Sequence, residues 1–187
     1  MPPIAPSARG VPLGRAGAAS PIQLVVRVGR VPAKQAAAGA GASLRSEMAR
    51  AAYAAAKSVA DEARRRAPTD EGALRAAIRP AVRLAGDTAS PLVSINLPYA
   101  ANVELGRRPG ARMPPVGALV GWVQRKLGVS AKAARGVAFA VARKIARRGI
   151  RGVHMLRDAV RAKAPETRAR FKGAVVSWAR RRFGRLA

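Results

Sequence analysis

Glu104, His154 and two adjacent acid pairs, Asp61-Glu62 and Asp70-Glu71, are the side chains that acid–base chemistry would use. A general acid or base at Glu104 needs a second carboxylate, a histidine or an activated nucleophile at a useful spacing, and its neighbourhood offers none. The acid pairs sit near arginines and read as solvated or salt-bridged groups. The chain has no cysteine, which excludes disulfides and thiolate metal sites; its lone His154 cannot build a zinc site and reads as a helix-start residue. Neither the glycines at 10–17 nor those at 106–110 are followed by Gly-Lys-Ser/Thr, so there is no phosphate-cradling P-loop. The sequence therefore predicts no enzyme, no metal and no cofactor. Glu104 is expected to be a structural acceptor that pairs an arginine across a subunit boundary, and Tyr99 a core or interface aromatic with its hydroxyl bonded.

The other chemistry available is electrostatic. With 36 Lys and Arg against nine Asp and Glu, the formal net charge is +27, and it is unevenly placed. Residues 1–46 carry six bases and no acid, and residues 47–104 carry eight bases and seven acids. Residues 105–187 carry 22 bases, with Asp158 and Glu166 as the only acids. Such a field attracts polyanions: nucleic acid, an acidic protein surface or anionic lipid. A solvated Arg-rich face is the plain alternative. Candidate contacts to DNA or a partner are Arg143, Lys144, Arg147, Arg148 and Arg151 at one helix end, and Arg180, Arg181, Arg182 and Arg185 at the chain end.

These side chains need elements to hold them. Residues 1–20, rich in Pro, Gly and Ala, lack periodicity and bury too little to order themselves, so contact with a neighbouring subunit is expected to hold this arm. The β-branched run IQLVVRVGRV at 22–31, bounded by Pro21 and Pro32, predicts a strand. A linker at 36–42 follows, then a long helix with Ser43 as its N-cap. Leu44, Met48, Ala52, Ala55, Val59 and Ala63 form that helix's apolar stripe, Arg64, Arg65 and Arg66 complement its dipole, and Pro68 stops it. Residues 76–84 and 91–97 predict antiparallel strands joined at Gly86-Asp87, and residues 99–105 one or two helical turns.

Gly106, Pro109, Gly110, Pro114 and Pro115 predict a loop without regular structure through residue 115. The remainder reads as helical. A helix over 116–127 carries Val116, Leu119, Val120, Val123 and Leu127 on one face. The next, capped by Ser130, runs to Arg148 with Val137, Val141 and Ile145 as its stripe, and Gly149 and Gly152 break the chain. A short helix over 153–164 then precedes a last one opened by Pro165, with Phe171, Ala174, Val175 and Trp178 on one face. The fold class is α+β: a small antiparallel sheet packed by one long helix, with a helical C-terminal half. Expected divisions are an arm with one strand at 1–42, a body at 43–163 and a basic amphipathic helix at 164–187. Much of the apolar content is alanine, which buries little area, so the core is expected to be thin and steadied by neighbours. No run reaches the roughly 20 apolar residues of a membrane span, and Pro2, Pro3, Pro6 and Pro12 break up any secretory signal. Synthesis in the cytoplasm and no membrane contact are expected.

Two short motifs carry more. Pro68-Thr69-Asp70-Glu71-Gly72-Ala73-Leu74-Arg75 is a helix-to-strand turn: Pro68 ends the helix, Thr69 and Asp70 offer oxygens to nearby backbone N–H groups, and Gly72 permits a positive φ. Leu74 then re-enters the core and Arg75 points outward. After the strands comes Pro98-Tyr99-Ala100-Ala101-Asn102-Val103-Glu104-Leu105-Gly106. In order and spacing these two motifs resemble the core of the tail-completion or head–tail joining (neck) proteins of long-tailed double-stranded-DNA phages. Glu71 stands where that family usually has Thr. Trp122, Arg148-Gly149-Ile150 and Met155-Leu156-Arg157-Asp158-Ala159 extend the resemblance, which covers about residues 43–163. It implies a structural virion protein, made in the host cytoplasm, that forms a ring, a hexamer, at the head-proximal end of the tail. Implied partners are connector or head-closure, tail terminator, tail tube or tape-measure proteins, with nonspecific double-stranded DNA in the ring's path. A free nucleic-acid-binding packaging or compaction factor is the rival reading.

Overall fold

Alanine has the highest helix propensity and leaves no bulk between packed elements, and the first long helix exploits both properties. The computed structural model describes residues 23–27, 31–32, 41–85 and 88–184. Helix α1 spans Gly41–Arg66 and buries Leu44, Met48, Ala52, Ala55, Val59 and Ala63, the expected stripe, together with Ala56 and Ala60. Its exposed side is tied by Lys57–Asp61 (2.8 Å) and Arg66–Glu62 (2.6 Å) pairs one turn apart. Ser43 is not the N-cap, because the helix begins two residues earlier; its hydroxyl instead accepts the Trp178 indole N–H at 3.0 Å.

After Pro68 the chain turns through α2 (Ala73–Ala77) into strand β3 (Ile78–Ala85), so the strand expected from 76 starts two residues later. Strand β4 (Thr88–Asn96) pairs antiparallel with β3 along its whole length, Ile78 opposite Ile95 and Ala85 opposite Thr88. The strand expected over 22–31 is present as β1 (Gln23–Arg27) and β2 (Val31–Pro32). Both pair with the other side of β4, at Leu92–Asn96 and Thr88–Ala89 respectively. Pro91, which has no N–H to donate, stands between those two paired stretches. Residues 1–20, linker positions 36–40, the Gly86-Asp87 turn and Arg185 lie outside the described residues.

Beyond the sheet come α3 (Ala100–Leu105), β5 (Gly106–Arg107), α4 (Gly117–Leu127), α5 (Ala131–Arg148), β6 (Ile150–Arg151) and α6 (Met155–Phe183). Three expectations are corrected here. The Gly/Pro loop does hold regular structure, because β5 pairs antiparallel with β6. Ser130 does hold the N-cap position of α5, but its side chain makes no cap bond; its carbonyl accepts the Ala134 N–H at 2.9 Å. Most importantly, the break at Pro165 is absent and α6 is one helix of 29 residues. Pro165 removes one backbone bond, but it lies on the exposed side, where solvent meets the freed carbonyl. Met155, Leu156 and Ala159 before it, and Phe171 and Trp178 after it, all pack into cores shared with α1, so both halves are held on one line.

The fold is α+β: one face of the antiparallel sheet is covered by α1, and α6 lies along α1. One core joins Val59, Ala60, Ala63 and Leu74 to Ile78, Val93, Ile95, Met155 and Leu156; another joins Leu44, Met48, Ala89, Phe171 and Trp178. A separate small core, Val123 with Ala134 and Ala138, closes α4 on α5. On α5 alanines take the buried positions, with Val137 and Val141 beside them, and on α6 Val175 is 42% exposed rather than inward. Leu127 is likewise exposed.

Candidate functional site

Glu104 is 4% exposed and sits on the last turn of α3, facing the start of α6. Its Oε2 accepts the Leu156 N–H at 2.9 Å and its Oε1 the Arg157 N–H at 3.0 Å. A carboxylate from a distant segment thus caps two open donors of a 29-residue helix, where the helix dipole also favours negative charge. This corrects the expected arginine partner: the buried acid takes backbone N–H groups of its own chain. Two backbone bonds run beside it, Val153 N–H to Val103 O (2.8 Å) and His154 N–H to Glu104 O (3.1 Å). His154 itself sits at the helix start with φ of 55°.

Glycine makes this junction possible. A Cβ on Gly106 (φ 79°) would stand 2.3 Å from Ile150 O, and one on Gly152 would stand 2.5 Å from Glu104 O. Gly149 (φ 71°) is pressed in the same way on Arg107 O, at 2.3 Å. The Val103-Glu104-Leu105-Gly106 and Arg148-Gly149-Ile150 motifs, more than 40 positions apart in the sequence, are therefore two halves of one backbone clasp. Spacing alone did not reveal Gly152 as the third contact.

The turn motif forms a second anchor. Gly72 has φ of 81° with open space around it, so backbone conformation alone requires glycine there. Leu74 is buried as expected. Arg75 does not simply point outward: its Nε and a terminal nitrogen donate to Ala67 O at 3.2 and 3.1 Å, capping the end of α1. Asp70 accepts from Arg125 of α4 at 2.7 Å, and Glu71 pairs the same guanidinium at 2.6 Å. The Arg125 guanidinium holds the Asp70 carboxyl below its usual range. Sequence reasoning missed Arg125, because a single arginine on a cationic helix carries no signal of its own. Tyr99 is 44% exposed, not a core aromatic; partial burial, with Glu71 and Asp70 nearby, raises its hydroxyl pKa. Pro98 is exposed and Trp122 is 36% exposed on α4.

The two cationic clusters are not brought together. Arg143, Lys144, Arg147, Arg148 and Arg151 lie at the end of α5 and on β6, all exposed. Arg180, Arg181 and Arg182 lie at the far end of α6, about 40 Å away along that helix at 1.5 Å per residue. Arg181 is tied to Glu47 (2.6 Å). Every described carboxylate is engaged, seven in ion pairs and Glu104 in the cap. Among the described residues no group of three His, Cys, Asp or Glu is placed to hold a metal, and no helix is long and apolar enough to cross a membrane.

Residues 33–106 match the family model described as "Bacteriophage HK97-gp10, putative tail-component". Over this segment, rather less than half of the chain, the sequence is similar to the HK97-gp10-like family. The matched segment holds α1, the 68–75 turn, the β3–β4 hairpin, α3 and Gly106, so both motifs fall inside it. It leaves out Trp122, the α4–α5 hairpin and α6, and with them the helix that Glu104 caps. No curated protein and no solved structure matches the chain.

Proposed function

We propose that this chain is a structural subunit of the neck or proximal tail of a long-tailed phage, acting in tail completion or head–tail joining. The observation that carries the reading is the match to a phage tail-component family over residues 33–106, with both motifs inside it. The geometry agrees in kind: Glu104, Asp70, Gly72, Arg75 and Gly106 fix helix ends and backbone crossings. In this reading six copies form a ring that caps the tail tube and docks it to the head connector around the DNA path. The sheet, including β1 and β2, forms the body with α1 and α6, while the 106–115 loop, the rest of the arm at 1–42 and the outward face of the 164–187 segment meet neighbours, including terminator or tape-measure proteins. The unpaired cations favour one rival, a free DNA-compacting factor working as a monomer or dimer. Purified virions decide between them: a neck subunit co-purifies with particles and assembles into rings with its partners, whereas a free factor stays in the lysate.

A further inference from the structure

We infer that the exposed face of α5, with the adjoining β5–β6 ribbon, binds the phosphate backbone of duplex DNA without reading its sequence. The sequence of α5, AKAARGVAFAVARKIARR, contains six cations, no acid and no side-chain amide. Arg135, Phe139, Arg143 and Arg147 follow at four-residue steps as one exposed stripe, beside the buried row Ala134, Ala138 and Ala142. Lys132 begins the rail and Arg151 continues it onto β6. Gly110 N–H donates to Ala146 O at 2.7 Å and Gly149 packs on the Arg108 backbone, which brings Arg108 to the same end. Arg108 and Arg151 line one open cavity on the ribbon.

Helix stability does not explain this arrangement. Cations in the last turn complement the dipole, but Lys132 lies in the first turn, where it opposes it, and Arg143–Arg147 and Lys144–Arg148 are like-charge pairs one turn apart. None of the rail's cations has an acidic partner among the described residues, while all the described carboxylates are engaged elsewhere. A ligand of regularly repeated negative charge accounts for all of this. From Lys132 to Arg147 the rail runs about 22 Å, the reach of about six phosphates along one strand. Without Asn or Gln on α5 there is no amide to pair with adenine edges, and contacts to phosphate position a duplex without specifying it. Single strands are held on repeated aromatic platforms, and this face offers Phe139 alone, 49% exposed.

The inference deepens the neck reading, which gives the duplex a reason to be there, but it is tested on the isolated full-length chain. Fluorescence anisotropy would follow binding to two duplexes of unrelated sequence, to a single strand and to poly-glutamate, across a salt series. The expected result is equal affinity for both duplexes and a loss of about a thousandfold over a fourfold salt rise, as six phosphate contacts require. The R143A/R147A/R151A variant should lose only a few tens of fold over the same rise, about three contacts fewer. The R143K/R147K/R151K variant should bind as the parent does, and the charge-matched R79A/R83A/R168A variant, at exposed arginines away from both basic clusters, should keep the parent's salt slope. Equal loss in both alanine variants would reduce the site to bulk charge and overturn the proposal. So would tighter binding of poly-glutamate or the single strand, or a preference between the duplexes. If DNA binding fails while rings are seen in virions, this site is wrong and the neck reading stands; the converse pairing sinks the neck reading alone.

Discussion

Glu104 joins two backbone N–H groups of α6 to the end of α3; without it the Leu156 N–H would be left open in a buried place and the Arg157 N–H in a half-buried one. Glu104→Ala should lower the unfolding free energy by about 2–4 kcal/mol, and Glu104→Gln, which keeps one acceptor oxygen, by about half as much. Urea denaturation of both variants checks this; an unchanged midpoint for Glu104→Ala would mean that the cap is dispensable. Glycines give a graded companion test. Gly72→Ala meets only the cost of a left-handed backbone, about 1–2 kcal/mol, whereas Gly106→Ala adds a collision with Ile150 O and should cost clearly more. Equal losses would contradict the clasp. Glu104 and the glycines were legible as motif positions, because their types and order stood out. The partner of Glu104 was not, since a backbone N–H at residue 156 has no side-chain signature. Arg75 is exposed, as expected, but its partner was not legible for the same reason: its acceptor is a main-chain carbonyl.

Among the elements, α1, the β3–β4 hairpin, α4 and α5 were all legible from periodicity and from Pro and Gly punctuation. The continuity of α6 was not. Pro165 is a local stop signal that the two cores against α1 override, and local sequence does not report that packing. The same long helix carries an acid-sensitive link to α1. Lys163, Arg170 and Ser58 all donate to Glu166 and hold its pKa at about 2. A native pKa below the unfolded value means that the unfolded chain takes up the proton first. The stabilisation is therefore complete above about pH 5 and is lost as pH falls toward 2. Asp61, Asp70 and Asp158, lowered by their own hydrogen bonds to Lys57, Arg125 and Arg157, act in the same direction. Melting temperature measured across that window should fall, and less steeply in Glu166→Gln; parallel slopes would show that Glu166 contributes nothing to the acid sensitivity. On α5, Gly136 is helical with free space at its Cβ, so Gly136→Ala should stabilise by about 0.5–1 kcal/mol. A lower midpoint in the same urea assay would show that the position is packed against something.

In the molecule as a whole, the acids are consumed in holding the fold while the cations of α5 and the ribbon are left over, and this asymmetry points outward to an assembly. The α+β class and the similarity to a phage-tail family could be read from the chain, because the 68–75 and 98–106 motifs both fall in the segment that the family model matches. The separation of the two basic clusters could not, because it depends on the length and direction of α6. An alanine-lined core of this kind is thin, and the ring proposed above would add contacts from neighbouring copies to it. The most direct measurement is electron cryomicroscopy of the intact phage particle. The account predicts a closed ring of this chain between the head connector and the tail tube, with α5 turned toward the DNA path. Particles without the chain, or with it only at the distal tip of the tail, would contradict it.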